Sequence, residues 1–245
     1  MMEKIGVCDW GIGGIGMLQH LKLMQNYEVV YLSDAGFMPY GKVAEKELSE
    51  RWQEVKAFFK SKNINKVAIA CNALSTLVEL NDDFINVIES GVALVQDCGA
   101  KRIGVTGGYR TIESNSYKTP LEAAGYDVVQ SVGQELSAKV EAGDLVSKET
   151  TESIREVFSP LINCDYVVLA CTHYPVLSKQ ILSIFPQIKL LDPALKMAET
   201  ISNKWKSNQN EFNIEWYTTG NTETMIHSAR ISFNENIINP LKVVL

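Results

Sequence analysis

Two cysteines end two near-identical apolar runs. Val67-Ala68-Ile69-Ala70 leads into Cys71-Asn72, and Val167-Val168-Leu169-Ala170 leads into Cys171-Thr172-His173. A thiol gives up and takes back a proton close to working pH, so it can act as general base or general acid. Two thiols facing one carbon suit a reaction that removes a proton from one side and returns one to the other. Thr172, beside Cys171, can donate to a substrate carboxylate. His173 titrates near neutrality and can relay a proton. Each thiol also has a bland reading, because unpaired Cys is among the most buried residue types. For Cys71 the strand-to-helix turn argues for chemistry: the helix dipole there is expected to favour thiolate by lowering the thiol pKa.

The apolar runs themselves are short, β-branched and bounded by polar residues, which reads as buried parallel strands. In open α/β sheets chemistry gathers at the carboxyl ends of such strands. Further strands are expected near 4–8, 28–33, 102–106, 127–131, 189–191, 214–218 and 237–244. Helices are expected near 15–24, 44–62, from 73 onward, 114–124, 148–161, 178–185, 194–206 and 222–232. Strands alternating with helices are the mark of βαβ units and a parallel sheet. Cys71 and Cys171 lie a hundred residues apart, each after a comparable number of elements. That spacing is too long for a solenoid repeat. It suits two similar α/β domains facing one another across a cleft.

Bulk properties narrow the function classes. The 245 residues carry 46% hydrophobic and 21% charged side chains, ordinary for a globular chain long enough to bury a real core. A net charge of −6 and the lack of a basic stripe argue against nucleic acid or an anionic membrane surface as partner. No apolar stretch reaches the length of a membrane span, and Met1-Met2-Glu3-Lys4 runs straight into an expected strand, so a secretory leader is not expected. A cytoplasmic protein with free thiols is expected. Five cysteines without a C-x-x-C pair and only three histidines hold no metal-ligand spacing.

Gly11-Ile12-Gly13-Gly14-Ile15-Gly16 satisfies G-x-G-x-x-G between a strand and a helix, with Asp34 ending the next strand where a ribose-binding acid would sit. Dinucleotide binding, a structural tight turn and a carboxylate-binding or catalytic turn are all open on this motif. Against the first, Asp9 and Trp10 crowd the place where pyrophosphate approaches a helix N-terminus. Asp9 reads either as a helix N-cap or as a group that holds a proton and tunes a neighbouring thiol.

With those residues in view, the chain resembles the glutamate racemases of the aspartate/glutamate racemase superfamily. Gly6-Val7-Cys8-Asp9-Trp10-Gly11-Ile12-Gly13-Gly14 resembles the family's opening D-S-G-x-G-G segment. Tyr31-Leu32-Ser33-Asp34 and Met38-Pro39-Tyr40-Gly41 resemble its second-strand and P-Y-G signatures. Ala70-Cys71-Asn72-Ala73 stands where the family has A-C-N-T, and Cys171-Thr172-His173-Tyr174-Pro175 matches its C-T-H-Y-P. Arg102 to Gly108, with Thr111, Ile112 and Ser114, fits the strand opening the second domain; Glu141-Ala142-Gly143 is similar to its acidic segment.

The resemblance implies two flavodoxin-like, doubly wound parallel-sheet domains, 1–98 with 211–245 and 99–210. It implies cofactor-independent racemisation of an acidic amino acid, L-glutamate to D-glutamate, which serves the bacterial cell wall. Cys71 and Cys171 would be the two bases, with Asp9 and Glu141 near the first and His173 near the second. Trp10, Pro39, Tyr40, Gly41, Asn72, Ala73 and Thr172 would line the substrate. Trp10 replaces the family's serine, while Ala73 and Gly108 replace threonines, so hydroxyl donors are lost and a large ring is gained. A smaller pocket suited to aspartate, and a catalytically silent amino-acid-binding protein, are the alternatives that follow. Whether two copies form a homodimer is open.

Overall fold

The computed structural model describes residues 4–79 and 81–245; the opening Met1-Met2-Glu3 lies outside the described residues. The strands are β1 (Lys4–Asp9), β2 (Glu28–Ser33), β3 (Val67–Ile69), β4 (Phe84–Asn86), β5 (Arg102–Gly107), β6 (Asp127–Val132), β7 (Tyr166–Ala170), β8 (Leu190–Leu191), β9 (Asn213–Thr218) and β10 (Leu241–Lys242). They form two sheets. The first runs β10-β9-β2-β1-β3-β4 and the second β6-β5-β7-β8, with every pairing parallel.

The helices are α1 (Ile15–Met24), α2 (Glu45–Ser61), α3 (Asn72–Ser75), α4 (Val87–Gln96), α5 (Tyr109–Glu113), α6 (Lys118–Ala123), α7 (Gln134–Glu141), α8 (Lys148–Phe158), α9 (Ser178–Ile184), α10 (Pro193–Lys204) and α11 (Thr222–Phe233). They cover both faces of both sheets, which is why the strands are apolar on both sides. On the first sheet, α1 and α10 bury Leu18, Leu21, Met197 and Ile201 against Ile5, Val7 and Tyr31. The opposite face takes Leu48, Trp52, Val55 and Phe59 of α2, a stripe at helical spacing, against Leu32 and Ile69. In the second sheet Val167 and Leu169 meet Leu136, Val140, Ile154 and Phe158, while Val105 and Val168 meet Val95, Tyr117 and Leu121.

Four consecutive strands of the first sheet, β2-β1-β3-β4, correspond to the whole of the second, β6-β5-β7-β8. Each chain segment runs from the central strand to one neighbour and then crosses to the other side. The crevice left between β1 and β3, and between β5 and β7, is where an open α/β sheet binds its ligand. Asp9 and Cys71 stand at the first crevice, Gly108 and Cys171 at the second.

Four expectations need correction. The helix expected over 114–124 is the shorter α6, Lys118–Ala123; α5 is an additional helix before it, and Asn115, with a left-handed φ of 55°, separates the two. Strand β4 and helices α4 and α7 are additional; Phe84-Ile85-Asn86 is too short, and α7 too polar, to carry a clear periodicity. The helix after Cys71 is a single turn, Asn72–Ser75. The tail strand shrinks to Leu241–Lys242, both exposed at the sheet edge.

A buried ion pair fixes the loop that follows β2. Asp34 accepts from Arg51 Nε at 2.7 Å and Nη2 at 2.6 Å, from Tyr40 Oη at 2.5 Å and from Thr219 Oγ1 at 2.7 Å. The Arg51 and Asp34 side chains are only 9% and 1% exposed. Removing one partner of such a pair leaves an uncompensated buried charge. Arg51→Met is expected to lose about 3–5 kcal/mol of stability, read from urea denaturation, and Arg51→Met with Asp34→Asn to recover part of it.

Candidate active site

The two crevices open onto one cleft with about 400 Å³ of empty space, part of it open to solvent. The first sheet lines it with Asp9, Trp10, Pro39, Tyr40, Gly41, Cys71, Asn72 and Ala73. The second supplies Gly108, Thr111, Gln134, Ser137, Ala170, Cys171, Thr172 and His173. Every residue expected at the site is therefore in this lining except Glu141, which stands behind His173. Thr111, Gln134 and Ser137 join this lining beyond the residues expected there. Thr111 belongs to a segment that carries the family resemblance, whereas Gln134 and Ser137 sit on α7, a helix without a clear sequence signal.

Hydrogen bonds tie the two sheets together across the cleft. Thr172 Oγ1 donates to Asp9 Oδ2 at 2.7 Å, and the Trp10 amide donates to Asp9 Oδ1 at 2.7 Å. Asp9 is thus no helix cap; α1 begins after Gly14 with no side-chain cap. Burial pushes the Asp9 carboxyl up, against the opposing pull of the His173 charge and of the Thr172 and Trp10 donors. Glu141, expected near Cys71, belongs instead to the Cys171 side. Its Oε1 lies 2.6 Å from His173 Nε2 and accepts from the Ile12 amide at 2.7 Å. His173 Nδ1 lies 3.7 Å from Cys171 Sγ.

These contacts explain the glycine-rich turn. A Cβ on Gly11 would lie 1.9 Å from Glu141 Oε1, and one on Gly13 would lie 2.2 Å from Thr172 Oγ1. The glycines let the second half of the chain approach the backbone. The turn's Ile12 N–H, a natural anion donor, is already taken by Glu141. Protein occupies the place a pyrophosphate would need.

The Cys71 thiol departs from its expected direction. Burial pushes it well above the ordinary thiol value, and the Asp9 charge adds to this; backbone N–H groups of Leu74 and Trp10 only partly offset them. A one-turn helix is too short to dominate desolvation. For His173, burial alone would lower the imidazole, but hydrogen bonds to Cys171 and Glu141, with their charges, outweigh it and hold His173 well above its usual value. The stabilisation from this raised value is fully present below the ordinary histidine pKa and is lost as pH rises through the folded one. Glu141→Gln is expected to bring the His173 titration down, moving the alkaline limb of activity to lower pH.

Polar groups aimed at the cleft complete the site. Tyr117 Oη donates to Asn72 Oδ1 at 2.8 Å, and the buried Asn72 Nδ2 has no partner among the described residues. It is a free donor at the carboxyl end of β3. Trp10 Nε1 donates to the Phe37 carbonyl at 3.0 Å, and its ring stands 6.1 Å from the His173 ring. The Trp10 indole is thereby fixed in the cleft lining.

Two parallel α/β sheets meet here at one cleft, and each contributes a thiol to its lining. Residues 17–201 match the Asp/Glu/hydantoin racemase model, and the chain belongs to that family. It is 30% identical over 254 aligned positions to the glutamate racemase of Carboxydothermus hydrogenoformans, covering 98% of this chain and 96% of that one. The crystal structure of glutamate racemase from Campylobacter jejuni superposes with a TM-score of 0.82 at 26% identity, covering 94% of this chain and 98% of that one. The Francisella tularensis glutamate racemase in complex with D-glutamate shares the fold, with a TM-score of 0.87 at 23% identity over 99% and 97% of the two chains.

Proposed function

We infer that the protein interconverts L- and D-glutamate without a cofactor, by two-base proton transfer between Cys71 and Cys171. The observation that carries this reading is that both cysteines line one cleft from equivalent strand ends. One cysteine, as thiolate, takes the α-proton and becomes a thiol. The opposite thiol gives its proton to the other face of the carbanion and becomes the thiolate. The two sulfurs have then exchanged states, so the next turnover runs in reverse. Asn72 Nδ2 and Thr172 hold the α-carboxylate and the enediolate-like charge on it. His173 exchanges a proton with Cys171, and Glu141 orients the imidazole and stabilises its charged form. Asp9 orients Thr172 and tunes Cys71.

The test is L-glutamate in heavy water, followed by proton NMR and optical rotation. Loss of the α-proton and of optical activity together is the expected result. Turnover of aspartate with glutamate inert would move the substrate and keep the mechanism. Stabilisation by an amino acid with no exchange at its α-carbon would leave a silent binding protein. Thermal unfolding is expected to be indifferent to NAD and NADP, whereas a dinucleotide enzyme gains stability by mass action.

A further inference from the structure

We propose that Gln134 is a substrate-binding, specificity-determining residue whose side-chain amide donates to the distal carboxylate of the substrate; the proposal rests on the glutamate reading above. Gln134 opens α7, lines the cleft and is buried. Its amide occupies space that two glycines leave vacant. A Cβ on Gly108 would lie 2.6 Å from Gln134 Oε1, and one on Gly41 would lie 2.0 Å from the same atom. Gly108 is where the resemblance implies a threonine, and the Gln134 amide fills the space a side chain there would take.

The orientation of that amide follows from one bond. Oε1 accepts from the Tyr109 backbone N–H at 3.1 Å. Nε2 then carries two N–H groups with no protein acceptor among the described residues. A donor lining a cleft without a protein partner is open to an acceptor on the ligand. Lys and Arg do not occur in the cleft lining, and its charged groups are Asp9 and His173. Both belong to the Thr172–Glu141 network beside Cys171. A distal carboxylate must therefore be held by neutral donors elsewhere in the wall, and Gln134 supplies one beside Gly41 and Gly108.

Gln134→Glu separates contact with substrate from a packing role, because it keeps the shape and the acceptor for Tyr109 but replaces the donor by a carboxylate oxygen. The expected result is a KM for glutamate raised at least about tenfold, with kcat within about threefold and an unchanged melting temperature. Gln134→Ala is expected to raise KM as well. Adding Gly108→Thr to it restores a hydroxyl in the vacated space and recovers part of the loss, while Gly108→Thr alone, clashing with Oε1, lowers activity. An unchanged KM in Gln134→Glu, or a loss confined to kcat, overturns the proposal. Should the wild-type protein fail to racemise glutamate, D-glutamate binding by calorimetry decides the point: about tenfold weaker binding to Gln134→Glu upholds the contact, and equal or absent binding in both proteins overturns it.

Discussion

Cys71→Ser and Cys171→Ser are each expected to lower glutamate racemisation by about 10²–10⁴-fold, the usual worth of a positioned acid or base. A serine hydroxyl has nearly the same shape, but it is a much weaker acid and cannot populate both protonation states near working pH. Each variant leaves one face of the α-carbon served and the other not, so inversion stops. The fold should tolerate both changes. Cys71 is at a strand end rather than in the middle of β3, and Cys171 is only partly buried. Circular dichroism of the substrate, run from L- and from D-glutamate, measures the loss, and a melting curve checks the fold. A Cys71→Ser/Cys171→Ser double variant that racemised at the wild-type rate would refute the two-thiol mechanism.

Gly13→Ala is the second large effect. The added methyl would sit 2.2 Å from Thr172 Oγ1, 2.7 Å from Thr172 Cβ and 3.0 Å from Asp9 Oδ2. Either the Thr172–Asp9 hydrogen bond breaks or the Cys171 loop retreats from the first sheet. A shift of about 1 Å between reacting groups can cost on the order of 10²-fold in rate, and that is the loss expected. Gly16→Ala is the matched control. Its Cβ would meet nothing closer than Phe233 at 3.5 Å, an ordinary contact. Within α1 alanine is the better helix former, by about 0.5–1 kcal/mol. Activity should therefore hold and stability rise slightly. Full activity in Gly13→Ala would mean that the closeness of the two halves at this turn does not set the reaction geometry.

The contrast between those glycines shows how far a motif can be read. The spacing of Gly11, Gly13 and Gly16 is equally compatible with a pyrophosphate and with a protein carboxylate, because both need close approach to bare backbone. What fills the space comes from Glu141, over a hundred residues away. The same holds for Glu141 itself. Its acidic segment is recognisable in sequence, but its partner is set by how α7 docks, and it pairs with His173 rather than serving Cys71. For the Cys71 thiol, the local turn argues one way and the burial around it another; desolvation wins.

Local patterning was enough to specify the alternation of strands and helices, the parallel sheets and the two cysteine-bearing strand ends. Each of those depends on residues close together in the chain: the apolar run 28–33 carries its own boundaries, and Leu48, Trp52, Val55 and Phe59 carry their own helical spacing. The family likeness was legible for the same reason, since its motifs are contiguous. The tertiary structure alone decided that Thr172 bonds Asp9, that Glu141 holds His173, and that Gln134 occupies the space over Gly41 and Gly108. Those pairings join residues far apart in sequence. They arise only when two separately built sheets come to rest against each other, and no periodicity in either half encodes the fit.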